Sequence, residues 1–275
     1  VTMLNELALG FSFVSEEMMY FGNGIDFINS DLNSTSGKRT LDDDENNLSI
    51  EFKDVSFSYP GTDVLVLENL NFKINPGETM ALIGVNGAGK STVVKLLTGL
   101  YKPTSGKIFI NGIDSEEIDI KSRFEAFSVV LQEVEPLAMS IAENVSASID
   151  SIDRERVKKS LERAGLKEKI DLLEKGIDTQ MTKIIFEDGT LFSGGENQKL
   201  AIARGLYKEK AKAMILDEPT ASLDALAEEK IYRELEEIVG EKTLIFISHR
   251  LASTKFCDKI ALLDGGNIKE FGTHE

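Results

Sequence analysis

The chain has 275 residues, of which 41% are hydrophobic and 28% are charged, a balance typical of a folded globular protein rather than a disordered one. Its single cysteine, Cys257, excludes an internal disulfide, and no apolar run approaches the ~18 residues of a membrane-spanning helix. The formal net charge of −16 makes the chain a poor candidate for binding nucleic acid through neutralisation of its phosphates, so we expect no nucleic-acid partner.

Residues 1–28 carry apolar side chains at alternating steps of three and four, which predicts an apolar seam along one face of a helix. Such a helix either packs on its own core or is the end of a longer helix that pairs with another chain or a membrane domain. Residues 29–47, rich in Asn, Ser, Thr, Asp and Gly, predict a flexible linker. The seam consists of Leu4, Leu7, Phe11, Val14, Met18, Phe21, Ile25 and Ile28.

From Leu48 onward the pattern predicts strands that alternate with helices. Three continuous apolar runs of strand length are typical of strands covered on both faces in a parallel α/β sheet, and they are Thr79–Ile83, Ala213–Leu216 and Thr243–Ile247. Further strands are predicted over Ile50–Tyr59 and Leu65–Ile74. Helices are predicted over Lys90–Leu100, over 153–175 with Asp153 as the N-cap, and over Asn197–Tyr207.

The segment Gly84–Thr92, called the phosphate loop below, fits the pattern G-x-x-x-x-G-K-[ST] between a predicted strand and a predicted helix. Small residues let the backbone curl so that N–H groups point at phosphate oxygens, and the helix N-terminus adds about half a positive charge. We expect Lys90 to reach the β- and γ-phosphates and the Ser91 hydroxyl to ligate Mg²⁺. An ordinary glycine-rich turn is the alternative.

Two carboxylates, Asp217 and Glu218, follow the predicted strand Ala213–Leu216. The carboxyl end of a central strand lies beside the phosphate loop in this class of fold, so Asp217 is expected to hold Mg²⁺ through water. Glu218 is expected to accept a proton from the attacking water. The alternative is an acidic helix cap before Pro219, which the phosphate loop in the same chain disfavours.

A second glycine-containing segment, Phe192–Glu196, precedes the predicted helix Asn197–Tyr207. Two glycines before a helix start expose N–H groups toward an anion, although a plain helix cap has the same pattern. Ser193 lies 24 residues before Asp217. With this combination, residues 48–275 resemble the nucleotide-binding domain of an ABC transporter ATPase, with seven motifs in the family's order.

In this resemblance the phosphate loop is the Walker A motif, and Asp217 and Glu218 close the Walker B motif. Phe192–Glu196 is the signature motif, which in the family commonly reads Leu-Ser-Gly-Gly-Gln. This chain departs from that form at both ends, with Phe192 and Glu196, and keeps Ser193 and both glycines. The remaining motifs are the A-loop at Tyr59, the Q-loop at Gln132, the D-loop Ala221–Asp224 and the H-loop at His249.

The resemblance implies roles for these residues. Tyr59 would stack on adenine, Gln132 would ligate Mg²⁺ and link to the transport domain, and His249 would hydrogen-bond the γ-phosphate and orient Glu218. The implied ATP-binding residues are Tyr59, Gly84, Asn86, Gly87, Ala88, Gly89, Lys90, Ser91, Thr92, Gln132, Ser193, Gly194, Gly195 and Asp224. The implied Mg²⁺ ligands are Ser91, Gln132 and Asp217, and the implied catalytic residues are Lys90, Glu218 and His249.

The implied fold is α/β: a P-loop NTPase core of mostly parallel sheet flanked by helices, with an antiparallel β subdomain and an α-helical subdomain at about 136–192. We expect this ATPase domain, 48–275, to follow the linker 29–47 and the helical end, 1–28, of a preceding membrane-domain helix. Because the chain begins with Val1 and stops within Gly272–Glu275, we expect it to be a piece of a longer protein.

The implied function is ATP binding and hydrolysis that powers transport across a membrane, with export favoured by the exporter-like N-terminal segment. The alternatives are an importer subunit, a soluble ATP-gated clamp and a non-hydrolysing regulator. The implied partners are a second nucleotide-binding domain, in an ATP-dependent head-to-tail sandwich, and the transmembrane domain of the same chain. We expect the chain to act at the cytoplasmic face of the cell membrane, with this piece itself soluble.

Overall fold

The computed structural model describes residues 37–41, 46–131, 135–183, 185, 187–218, 242–249, 254–255 and 257–273. The predicted helix over 1–28, Gln132 and the D-loop Ala221–Asp224 lie outside the described residues. In the part of the chain that is described, no helix is long and apolar enough to cross a membrane.

The described strands form two sheets. Their bounds are β1 Ile50–Ser58, β2 Leu65–Ile74, β3 Thr79–Ile83, β4 Ser105–Ile110, β5 Ile113–Asp114, β6 Phe127–Val130, β7 Ala213–Asp217, β8 Thr243–Ser248, β9 Lys259–Asp264 and β10 Asn267–Gly272. The first sheet is antiparallel, in the order β2-β1-β4-β5. The second has the order β10-β9-β3-β8-β7-β6 and is parallel except for β10.

In the order of the sequence, the described helices lie mainly between strands of the second sheet. Their bounds are α1 Lys90–Thr98, α2 Ile120–Ala126, α3 Ile141–Ser146, α4 Arg154–Arg163, α5 Lys167–Asp171 and α6 Gly194–Tyr207, with a 3₁₀ turn at Gly176–Asp178. The parallel sheet with its helices and the separate antiparallel sheet confirm the predicted fold class.

Strand β3 shows why the predicted strands of the parallel sheet are continuously apolar. All five of its residues are buried, and the four apolar ones alternate between two hydrophobic clusters on opposite faces of the sheet. Met80 and Leu82 belong to the cluster that includes the antiparallel sheet, whereas Ala81 and Ile83 belong to the cluster that includes α3, α4 and α6. The sheet that leads into the phosphate loop is therefore packed on both sides.

Two predicted helices end earlier than expected because a glycine terminates each one. Helix α1 stops at Thr98 rather than Leu100, since Gly99 is left-handed (φ 83°) and the Leu100 amide donates to the Lys95 carbonyl. The prediction of one helix over 153–175 was wrong: Gly165 (φ 70°) separates α4 from α5 in the same way. Asp153 does cap α4, and its side chain accepts a hydrogen bond from the Arg156 amide at 3.0 Å.

The described part of the predicted linker is attached to the domain instead of extending freely. The Arg39 amide donates to the Glu117 carbonyl at 3.0 Å, and the Asp119 amide donates to the Arg39 carbonyl at 2.7 Å. Leu41 is buried in the core, and its amide donates to the Ser122 hydroxyl. A flexible linker is therefore the wrong description of residues 37–41, because backbone hydrogen bonds and an apolar anchor fix them.

Candidate functional site

The register of the parallel sheet brings three predicted motifs to one edge. Ile83 of β3 lies opposite Ser248 of β8, and Ile247 of β8 lies opposite Asp217 of β7. Because these strands run in the same direction, the residues that follow them emerge side by side. The phosphate loop, the H-loop histidine and the Walker B carboxylates therefore meet at the carboxyl end of the sheet.

Two glycines of the phosphate loop are required by close packing. A Cβ atom at Gly84 would lie 2.2 Å from the Leu263 carbonyl oxygen, and one at Gly89 would lie 2.5 Å from Leu67 Cδ2. Gly89 also has φ 106° and immediately precedes α1. The loop is therefore held against β2 and β9, while its tip at 85–87 remains exposed.

Lys90 lies at the centre of this loop. Its side chain is almost fully buried, and Nζ donates to the Gly84 carbonyl at 2.7 Å and to the Val85 carbonyl at 3.2 Å. An ammonium has three donors, so these two contacts hold it in place and still leave capacity for an anion. The next residue, Ser91, is exposed at the first turn of α1, where a hydroxyl can reach a cation bound to phosphate.

Asp217, at the end of β7, is a partly buried carboxylate. Burial and the neighbouring Glu218 raise the pKa of Asp217, and the charge of Lys90 opposes this increase only in part. A carboxylate in this position is stabilised by a nearby cation. This donor chemistry, together with the exposed Ser91 hydroxyl, fits a hard divalent cation such as Mg²⁺.

Glu218 and His249 form a direct pair. His249 Nδ1 lies 3.0 Å from Glu218 Oε1, and the carboxylate side chain is only 10% exposed whereas the imidazole is 42% exposed. The Glu218 amide donates to the Ile247 carbonyl at 2.9 Å, and Glu218 has φ 47°. A left-handed glutamate is strained and is found mainly where function requires a fixed geometry. The imidazole thus fixes the carboxylate from the solvent side.

Tyr59 is half-buried at the end of β1 and is attached to α1 through its hydroxyl. The hydroxyl lies 3.0 Å from Thr92 Oγ1 and accepts a hydrogen bond from Lys95 Nζ at 3.2 Å. Burial raises the pKa of Tyr59, but these two hydrogen bonds outweigh burial and bring it below its ordinary value. Lys95, which the sequence analysis missed, thus connects the aromatic ring to the helix of the phosphate loop.

The signature motif forms the N-terminus of α6. Ser193 is the N-cap: its hydroxyl accepts from the Glu196 amide at 3.3 Å, and its own amide donates to Glu196 Oε2 at 2.8 Å. Ser193 and Gly194 are exposed. In the described part of the chain, the hydrogen bonds of Ser193 all lie within this first stretch of α6 and none reaches the phosphate loop.

The pattern Ser-x-x-Glu at 193–196 could have revealed this capping box, and with it a helix start at Gly194 rather than Asn197. Lys169, which contacts the signature motif from α5, carries no such signal in the sequence. Gln132 and Asp224, which the sequence assigns to the same site, lie outside the described residues.

Comparison with known proteins agrees with this geometry. The family model described as "ABC transporter" matches residues 67–221, more than half of the chain. The ATP-dependent lipid A-core flippase of Pseudomonas aeruginosa is 37% identical over 226 residues, which cover 82% of this chain and 37% of the flippase. The flippase of the same name from Escherichia coli K12 is 35% identical over 248 residues, covering 90% of this chain and 41% of that protein.

Among solved structures, a bacterial Atm1-family ABC exporter with ATP bound superposes with a TM-score of 0.81 at 29% identity, covering 95% of this chain and 45% of that chain. The chain thus spans less than half the length of these relatives. From the matched family model and the ordered motifs at one sheet edge, we conclude that this chain belongs to the ABC transporter family and carries its ATP-binding ATPase domain.

Proposed function

We propose that this chain is the ATP-hydrolysing motor of an ABC exporter. The observation that carries the proposal is the 3.0 Å contact between Glu218 and His249 at the same sheet edge as the phosphate loop. A base held by an orienting partner next to a phosphate-binding loop is the arrangement that triphosphate hydrolysis needs.

In this proposal the loop amides and Lys90 bind the triphosphate, and Tyr59 stacks on the adenine. Ser91, Gln132 and Asp217 would hold Mg²⁺, which neutralises charge on the β- and γ-phosphate oxygens when bound. Glu218 accepts a proton from the attacking water, and His249 keeps the carboxylate oriented and contacts the γ-phosphate. The near burial of the Glu218 side chain supports this role, since it limits competition from bulk water.

The proposed partner is a second nucleotide-binding domain in a head-to-tail arrangement. Ser193, which is exposed, and Gly195, which is partly exposed, form a second anion-binding helix end, and in the described part of the chain the hydrogen bonds of Ser193 do not reach the phosphate loop. One triphosphate already occupies the loop of its own chain, so Ser193 would instead contact the triphosphate held by Lys90 of the partner. ATP then joins the two domains, and hydrolysis releases them.

We propose export as the direction of transport, and the similarity to ATP-dependent lipid A-core flippases and to a bacterial Atm1-family ABC exporter supports it. In this proposal the ATPase domain lies at the cytoplasmic face of the cell membrane and is coupled to a transmembrane domain. Opening of the dimer would pass to that domain through the region of Gln132.

Sedimentation of the Glu218→Gln variant with and without ATP and Mg²⁺ tests this assembly. We expect a monomer without nucleotide and a dimer with ATP, because this variant binds ATP and hydrolyses it only slowly. Adding Ser193→Arg should abolish the dimer and leave ATP binding intact. A dimer that survives Ser193→Arg would contradict the sandwich, and ATP-dependent capture of RNA or DNA would instead favour a soluble clamp.

A further inference from the structure

The two positions at which the signature motif departs from its common form share one neighbour, Lys169 of α5. Lys169 Nζ lies 3.0 Å from Glu196 Oε1 and 5.6 Å from the centroid of the Phe192 ring. Phe192 is buried, and the side chains of Lys169 and Glu196 are 33% and 27% exposed. One cation therefore contacts both unusual residues, through an ion pair and through the face of an aromatic ring.

Glu196 is ionised, and its carboxylate lies at the signature motif itself. The Ser193 amide, together with the Lys169 ammonium, holds the pKa of Glu196 below its ordinary value against the opposing effect of burial. The carboxylate thereby occupies one N–H donor at the start of α6. It also places a negative charge beside the backbone of Gly194, which is exposed, and of Gly195, which is partly exposed. N–H groups of a first helical turn have no backbone partner within their helix.

This charge opposes the proposed role of the motif, because a carboxylate next to Ser193 repels a triphosphate that approaches the same helix end. A glutamine at position 196 would keep the capping hydrogen bond without the charge. Lys169 offsets the carboxylate with a full positive charge at contact distance, and the ring of Phe192 lies beside that ammonium.

We propose that Lys169 is a positioning residue of the signature motif: it neutralises Glu196 and holds it on the Ser193 amide, so that this acidic signature accepts the triphosphate of a second nucleotide-binding domain. The proposal rests on the proposed function, because it assumes that Ser193 and Gly195 contact ATP across a dimer.

A charge cycle in the Glu218→Gln background tests it, with Lys169→Met, Glu196→Gln and both together. The ATP concentration for half-maximal dimer formation, measured by sedimentation with Mg²⁺, should rise roughly 2- to 30-fold in Lys169→Met, since a dimer contains two such ion pairs. Glu196→Gln should form the dimer at least as readily as the parent. The double variant should match Glu196→Gln, because the charge that Lys169 offsets is gone.

Two controls separate this effect from net charge and from loss of packing. Lys167→Met, on the same helix, removes an equal charge that pairs with Glu162 instead, and should leave dimer formation unchanged within about 2-fold. Lys169→Arg keeps the positive charge and should preserve the dimer. Melting temperatures of all variants report any loss of folding.

Several outcomes would overturn the proposal. If Lys169→Met forms the dimer as readily as the parent, or if the double variant is as weak as Lys169→Met, then Lys169 does not act through Glu196. If the Glu218→Gln parent binds ATP and stays monomeric, the proposed dimer fails and this inference fails with it. ATP binding to the monomer, measured by calorimetry, should be equal in all variants, and this distinguishes the two failures.

Discussion

The phosphate loop and the signature motif both present glycines to phosphate, but only the glycines of the loop are required by the fold of this chain. A Cβ atom at Gly84 would lie 2.2 Å from the Leu263 carbonyl oxygen. Within the described structure, a Cβ atom at Gly194 or Gly195 would meet no atom closer than 4 Å apart from the helix's own backbone. Within the described structure, packing therefore gives no steric reason for glycine at these two positions.

The polar groups of the two regions differ in the same way. Lys90 is 7% exposed and is held by carbonyls of its own loop, whereas Ser193 is exposed and bonds only to its own helix in the described structure. In the proposed function, the chain would complete the first anion site by itself and would supply one surface of the second. This contrast is what a composite site between two domains requires.

The largest expected effect concerns the site at the phosphate loop. Glu218→Gln keeps the size of the side chain and removes proton acceptance, so ATP hydrolysis should slow by at least ~100-fold, the scale for a general base. Binding of ATP and Mg²⁺, measured by calorimetry, should be retained, in contrast to Lys90→Ala, which should weaken binding. Hydrolysis at the parent rate would show that Glu218 is not the base.

A matched pair of glycine substitutions tests the contrast directly. Gly84→Ala should lower the free energy of unfolding by about 1–3 kcal/mol, because its Cβ collides with a backbone carbonyl that cannot move away cheaply. Gly195→Ala, at the first turn of α6, should have a free energy of unfolding within about 1 kcal/mol of the parent's. It should nevertheless form the ATP-dependent dimer less readily. Denaturant titrations measure the first effect and sedimentation the second. Equal destabilisation by both would remove the distinction between the two regions.

Substitutions of Tyr59 test whether the site at the phosphate loop extends to the adenine. Tyr59→Ala should weaken ATP affinity by roughly 5- to 100-fold, from ~1–3 kcal/mol of base stacking. Tyr59→Phe should keep most of the affinity and lose about 1 kcal/mol of stability, because Thr92 and Lys95 lose their shared hydroxyl. Calorimetric titration with ATP and thermal unfolding separate the two effects. An unchanged affinity in the alanine variant would argue against stacking at this residue.

The smallest expected effect is on the pH dependence of stability. Folding raises the pKa of Asp217, so its contribution to stability is fully present below its unfolded value, near 3.8, and is lost as the pH rises through the folded value. Asp217→Asn should therefore raise the melting temperature at neutral pH without nucleotide, and this gain should shrink as the pH falls towards about 4. It should also reduce the additional stabilisation by ATP and Mg²⁺.

Asp264→Asn is the control, because this exposed residue ends β9, another parallel strand of the same sheet, and should change the melting temperature little at either pH. A melting temperature of Asp217→Asn that is unchanged or lower at neutral pH would contradict the destabilising role of the buried carboxylate.

Local signals in the sequence were sufficient for the elements that form the sheet edge. The strand bounds Leu65–Ile74 and Thr79–Ile83 agree with the predicted ones. A continuous apolar run indicates a strand buried on both faces, and an alternating run indicates a strand buried on one face. The split of the predicted helix at Gly165 could also have been expected from the glycine itself. The hairpin of β9 and β10, which supports Gly84, was not predicted, although Gly265 and Gly266 between its strands are a local hairpin signal. Only the pairing of β9 with β3 joins residues that are distant in the sequence.

The sequence by itself determined the phosphate loop, the order of the motifs and the α/β class, because each depends on residue types at fixed spacing along the chain. The resemblance already implied that His249 orients Glu218, and the structure places the two side chains 3.0 Å apart. Only the tertiary structure decided that Lys95 binds Tyr59 and that Lys169 pairs with Glu196. Each of these contacts joins elements that are separated in the sequence, and strand register and helix packing set which charges become neighbours. The attachment of residues 37–41 to the domain was decided in the same way, because their hydrogen-bond partners lie at 117–122, far away in the sequence.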